Sequence, residues 1–255
     1  DKRTDKLQHT QRQIKKSKLE RFIACGRVER MAGVDGQALS IDELVAQGLV
    51  TAMGRQRFLL PREEKLFGMD LTPGAIGCAL GHRRIWQRVV DEDIKTALIL
   101  EDDVEFHPRF ARLLPDLWRR IPSDWGMVYF GGLDLLAKGK PPRPFLADGV
   151  RLAYNGHREL TAYVVNAASA KRCLELSAPM TWQVDTHICN QLAHDPAASD
   201  DFIADPKSYV FQPALAIQIT SFGTDVQKQT AENAQMEDAS RRLREFVQGG
   251  TSVRQ

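Results

Sequence analysis

Three adjacent carboxylates, Glu101, Asp102 and Asp103, close the apolar run TALIL at residues 96–100. Like charges this close repel and raise one another's pKa unless a cation compensates. In an extended chain, side chains alternate. Glu101 and Asp103 then point one way and Asp102 the other. Two carboxylates on one side suit a hard divalent ion such as Mg2+ or Mn2+. Such an ion also bridges a diphosphate and stabilises its departure. An acidic turn open to water meets the same charge demand, so these residues alone leave both readings open.

The elements around them predict a layered α/β domain. TPGAIGCALGHRRIWQRVVDED (72–93) is a helix, with Thr72 as N-cap, Pro73 in the first turn and one apolar face running from Ile76 to Val90. His82 shares a face with Cys78 and Trp86, as a hydrogen-bonded histidine at the core edge would. TALIL is a buried strand. HPRFARLLPDLWRRIP (107–122) has a helical stripe that Pro115 should kink or split. MVYFGG (127–132) and TAYVVN (161–166) read as strands, with a helix at 167–177 and a further helix or helix start at QVDTHICNQLA (183–193). SYVFQPALAIQI (208–219) is extended. Residues 5–24 read as a polar helix and 27–32 as a short strand. GVDGQ (33–37) is a turn, and Ser40 caps a helix near 41–47 with Glu43 three residues on. Residues 50–70 show no clear period. Strands alternating with helices predict a largely parallel sheet, with ligands at the carboxyl ends of its strands.

The composition bounds the class. The chain has 255 residues, 43% hydrophobic and 27% charged, with a net charge of +2. That is ample for a substantial core and gives no reason to expect a nucleic-acid partner. Basic residues crowd the start, among them Lys15, Lys16, Lys18 and Arg21. They form a solvated face or a contact for anionic lipid or phosphate. No run of about 18 apolar residues exists. The four cysteines lack CxxC spacing, which points to a reducing compartment. We therefore expect a cytoplasmic protein, with peripheral contact at the inner face of a membrane through the basic start.

PGAIGCALGHRRIW followed by ALILEDDVEF resembles family 25 glycosyltransferases, which include lipooligosaccharide and collagen-type galactosyltransferases. Gly74, Ile76, Gly77, Cys78 and His82 match that family's pattern. RMAGVDGQAL, LTAYVVNAASAKRCLE, QVDTHI and QPALAIQITSFGTDV are similar to further family segments in the same order. The resemblance spans residues 1–226, read as one domain, with 227–255 as a polar, partly helical tail. It places the family's first strand before Asp1.

The resemblance implies a GT-A type, Rossmann-like fold with a mostly parallel sheet. It also implies inverting, metal-dependent transfer of a hexose, galactose foremost, from a UDP-sugar to a hydroxyl of a glycan, lipooligosaccharide or protein. Glu101 and Asp103 then hold Mn2+ or Mg2+, and Asp102 lies near the ribose or sugar. Asp35 reads the uracil N–H, and Arg3 meets the nucleotide phosphates. An inverting transfer needs a base for the acceptor proton. Asp185 matches the family's Pro-Val-Asp acid and is assigned that role, against a helix-capping one. Asp225, Gln218 and Ser221 close the donor site, and residues 137–158 and 195–207 meet the acceptor. Two other classes compete. One is a silent GT-A-like carbohydrate- or protein-binding domain, suggested by the departures at Ala75, Gly81, Ala162 and Gln183. The other is a two-metal phosphohydrolase, for which no further ligand motifs appear.

Overall fold

The computed structural model describes residues 3–23, 28–66, 68–134, 144–154, 156–189, 204–219, 221–223 and 226. Its centre is a sheet of β1 (Thr96–Leu100), β7 (Ala162–Asn166), β3 (Met127–Tyr129), β8 (Ser208–Phe211) and β5 (Val150–Leu152), in that spatial order. Contrary to the expectation of a mostly parallel sheet, only β3 and β8 pair in parallel. β7 pairs antiparallel with both β1 and β3, and β5 pairs antiparallel with β8. β1, β3 and β8 do run the same way, as their alternation with helices predicted. β7 enters between two of them in the opposite sense. A strand buried on both faces reads as the same apolar run whichever way it points, so sequence pattern does not reveal this insertion.

Period-2 alternation divides each central strand between two apolar layers. Tyr163 and Val165 face a core with Ile76, Ala79, Trp86 and Val89 of α4 (Pro73–Asp91), joined by α6 (Ala167–Leu176) and α7 (Val184–Cys189). Ala162 and Val164 face the opposite core, with Phe110, Leu114 and Leu117 of α5 (Phe110–Trp118). Helices thus cover both sides of one sheet. Pro115 lies inside α5 without splitting it into the two short pieces that were one of the expected outcomes.

The capping signals hold. Thr72 Oγ1 accepts from Ala75 N at 3.0 Å and opens α4. Ser40 accepts from Glu43 N at 3.4 Å and opens α2 (Ile41–Ala46). Residues 50–70 contain α3 (Ala52–Phe58), which carries Arg57 to a bidentate pair with the fully buried Asp70. Other expectations need correction. α1 (Thr4–Ser17) stops well short of residue 24, because Lys18 turns left-handed (φ +56°) and donates back to the helix carbonyls. The described part of the strand expected at 27–32 forms none. The stretch 208–219 is two strands: after β8, Pro213 cannot donate to a ladder, and β9 (Ala216–Gln218) leaves to pair with β2 (Val104–Phe106). A further small pair joins β4 (Leu133–Asp134) to β6 (His157–Arg158).

Candidate active site

Glu101 follows β1, and its backbone N–H continues the ladder to Thr161 O at 2.8 Å. Its side chain turns to α4. A directed chain of hydrogen bonds reaches it. The Trp86 indole N–H can only donate, and it donates to the Tyr163 hydroxyl oxygen at 2.9 Å. The Tyr163 hydrogen is then available to His82 Nδ1 at 2.8 Å, which leaves His82 Nε2–H facing Glu101 Oε1 at 3.2 Å. The Cys78 thiol adds a weaker contact at 3.7 Å to the same oxygen. Burial alone would raise the Glu101 pKa, but the His82 and Cys78 hydrogen bonds outweigh it and hold the carboxyl below its ordinary value. The same carboxylate and burial push the Cys78 thiol well up. The spacing of Cys78, His82 and Trp86 on α4 is thus explained: they orient one carboxylate.

Asp102 and Asp103 do not alternate as an extended chain would, because residues 101–103 form a turn. Both meet one cation. Lys6 on α1 places Nζ 3.0 Å from Asp102 Oδ1 and 3.2 Å from Asp103 Oδ2. Desolvation of this buried ammonium is overcome by the two carboxylates, so its pKa rises. Gln218 on β9 donates to Asp103 Oδ2 at 3.3 Å. α1 is held over the turn by Thr10, which donates to Asp102 O at 2.8 Å, and by His9 Nε2, 2.9 Å from Val104 O. Asp102 remains exposed, while Asp103 is 6% exposed and its Oδ1 has no hydrogen-bond partner. Burial and the nearby Glu101 charge raise the Asp103 pKa. An orphaned carboxylate oxygen beside a second carboxylate fits a hard divalent cation. Cys78, His82 and Glu101 also lie with ligand atoms within 4.8 Å of one another, a spacing their mutual hydrogen bonds account for.

The facing wall comes from β6 and α7. Asp185 Oδ2 accepts from Arg158 Nε at 2.9 Å and from Glu159 N at 3.3 Å, and its Oδ1 accepts from Thr186 N at 2.8 Å. The buried Arg158 also donates to Thr186 Oγ1. Glu159 has a left-handed backbone (φ +80°). Burial foremost, then the charges of Glu101 and Asp185, raise its pKa to about 7. Sequence reasoning missed Lys6, Arg158 and Glu159. HREL (157–160) carries no motif, and the Lys6 contacts span more than 90 residues of chain.

The other expected residues lie around this centre. Asp35 is exposed and caps a short 3-10 turn through Gln37 N at 3.1 Å. The next residue, Gly36, abuts Pro73 and Gly77 at the start of α4. Arg3 donates to Phe222 O at 2.9 Å and pairs with Asp5. Phe222 and Val226 both lie on this side: the Thr72 hydroxyl donates to Val226 O, and Phe222 packs edge-on against His9. Ser221 is exposed. Asp225, Thr224, residues 137–143 and most of 195–207 lie outside the described residues.

An α/β sheet with an acidic cluster beyond the end of β1 defines the class, and the comparisons define the family. A family model described as "Glycosyltransferase family 25 (LPS biosynthesis protein)" matches residues 2–188. The chain belongs to glycosyltransferase family 25. It is 32% identical over 151 residues to a "Glycosyltransferase 25 family member" of Drosophila pseudoobscura pseudoobscura, covering 58% of this chain and 22% of that protein. It is 33% identical over 115 residues to "Procollagen galactosyltransferase 1" of Danio rerio, covering 44% of this chain and 17% of that protein. A "Probable inactive glycosyltransferase 25 family member 3" of Bos taurus is 29% identical over 154 residues, covering 58% and 24%. The matched stretches thus span under a quarter of these relatives' own length.

Proposed function

We propose that this chain transfers a hexose, galactose foremost, from a UDP-sugar to a hydroxyl of a glycan, lipooligosaccharide or protein acceptor, with inversion, on a GT-A type site. The observation that carries the reading is the set Glu101, Asp102 and Asp103 beyond the end of β1, with Asp185 on the facing wall, in a chain of this family. Asp103 and Glu101 would hold Mn2+ or Mg2+, which supplies positive charge to the departing diphosphate. Around it the chain's own groups act. His82 and Cys78 keep Glu101 ionised and aimed. Lys6 places a buried ammonium between Asp102 and Asp103, where it offsets part of their repulsion and holds both at the turn. Asp35 and Arg3 are assigned to the uracil and the phosphates. Asp185 borders the acceptor side, in the region where the acceptor hydroxyl must lose its proton. α1 leaves Arg12, Lys15, Lys16 and Lys18 exposed, which supports peripheral contact with an anionic membrane face in the cytoplasm. No helix among the described residues is long and apolar enough to cross a membrane.

A second reading, a silent binding domain, draws on one observation. Glu101, Asp102, Asp103 and Asp185 each already have protein partners. Titration calorimetry with UDP, with and without Mn2+, combined with Mn2+-dependent hydrolysis of UDP-galactose, separates the two. Binding with hydrolysis supports the transferase. Absence of both leaves the binding-domain reading.

A further inference from the structure

We infer that Glu159 is the catalytic base of this site, the group that takes the proton from the attacking hydroxyl, and that Asp185 is its positioning residue. The inference rests on the transferase reading above and deepens it.

Five acids approach the site, and four already accept hydrogen bonds, Asp103 through Oδ2 alone. Glu101 takes His82 and Cys78, Asp102 takes Lys6, and Asp103 takes Lys6 and Gln218. Asp185 takes Arg158, Glu159 N and Thr186 N. A carboxylate filled by a guanidinium and two backbone N–H groups is a poor proton acceptor, since each donor favours its charged form. Among the described residues, no donor reaches the Glu159 carboxylate. The backbone places it deliberately. The ladder pairs Leu100 with Ala162 and continues through Glu101 N to Thr161 O. Asp103 lies two residues after Glu101 and Glu159 two residues before Thr161, both beyond the paired ends of β1 and β7. A left-handed φ is costly for a residue with a Cβ and persists where surrounding contacts enforce it, often at functional sites. Here the enforcing contact is Glu159 N–H to Asp185 Oδ2, with Arg158 anchored to the same oxygen. The charges that act on Glu159 are those of Glu101 and Asp103 after β1, Asp185 on α7 and Arg158 on β6. With Asp185 filled by donors and its own carboxylate free of them, Glu159 is the acid of this wall able to accept a proton.

The step balances as a single displacement. The hydroxyl oxygen forms a bond to the anomeric carbon while the carbon–oxygen bond to UDP breaks. UDP leaves with the electron pair, and the hydroxyl proton passes to Glu159. With water as acceptor the products are galactose, UDP and one proton released to solvent.

The test uses UDP-galactose, Mn2+ and water as the acceptor. Wild type should release UDP with a rate that rises with pH as the base ionises. Glu159→Gln should bind UDP with Mn2+ at wild-type affinity, release UDP about 100- to 10,000-fold more slowly and lose the rise with pH. Glu159→Asp should recover part of both. Near-normal hydrolysis in Glu159→Gln, or an unchanged pH profile, overturns the assignment while leaving the transferase reading intact. A wild type that neither binds UDP nor hydrolyses UDP-galactose overturns both.

Discussion

The carboxylate oxygen left over at Asp103 is the sharpest feature at the scale of single residues. Oδ2 pairs with Lys6 and accepts from the Gln218 amide, while Oδ1 is buried and unpartnered. Asp103→Asn removes the charge without removing volume. We expect it to fold with a melting temperature near wild type and to lose Mn2+-dependent UDP binding in calorimetry. Unchanged affinity would remove Asp103 from the ligand set. The hydrogen-bond chain to Glu101 makes a different prediction. Tyr163 is fully buried, and its hydroxyl both receives the Trp86 N–H and serves His82. Tyr163→Phe leaves an indole N–H unpaired in the core, which costs about 1–3 kcal/mol. Urea denaturation should show that loss with an unchanged m-value.

At the scale of elements, α4 and the segment before it lock through backbone contact. A Cβ at Gly77 would strike Val34 O, and one at Gly36 would strike the Pro73 carbonyl. Gly→Ala inside a helix ordinarily stabilises by up to about 1 kcal/mol. Here the sign should reverse. Gly77→Ala should destabilise by about 1–3 kcal/mol, because α4 and the 34–36 segment must move apart, and a higher melting temperature would contradict this packing. α4 itself was legible, since Thr72, Pro73 and one apolar face state its start and orientation locally. The α3 region was not. Its Arg57 is satisfied by Asp70, which also accepts Leu66 N at 2.6 Å, and such loop pairing leaves no period. The position and direction of β7 were illegible for a related reason, because Ala162–Val165 is buried throughout. At the site, the local sequence announced Glu101–Asp103 and His82. Lys6 and Glu159 depend on contacts distant in sequence, and a left-handed glutamate runs against local preference, so no pattern in HREL could reveal it.

At the scale of the whole molecule, a buried histidine and a half-buried glutamate titrate in opposition. His157 is 3% exposed and packs against the Tyr129 ring, and burial lowers its pKa from 6.5 to about 4. Between those values the unfolded chain binds a proton that the folded chain does not, so this group makes stability fall as pH falls. Glu159 is shifted the other way, from 4.5 to about 7, by burial and its acidic neighbours. Between those values the folded chain binds the extra proton, so this group makes stability rise as pH falls. Each contributes a slope of about 1.4 kcal/mol per pH unit where fully developed. Their windows overlap from 4.5 to 6.5, where the two slopes nearly cancel. Removing one member should expose the other. Without metal or nucleotide, Glu159→Gln should lose stability on acidification from pH 6.5 to 4.5 by about 2–3 kcal/mol more than wild type does. His157→Gln should gain by a similar amount relative to wild type over the same range. Comparing each variant with wild type cancels the titration of groups that do not interact with the mutated side chain. Denaturant titrations at several pH values measure the slopes directly, and three parallel curves would mean that neither group carries its shifted proton.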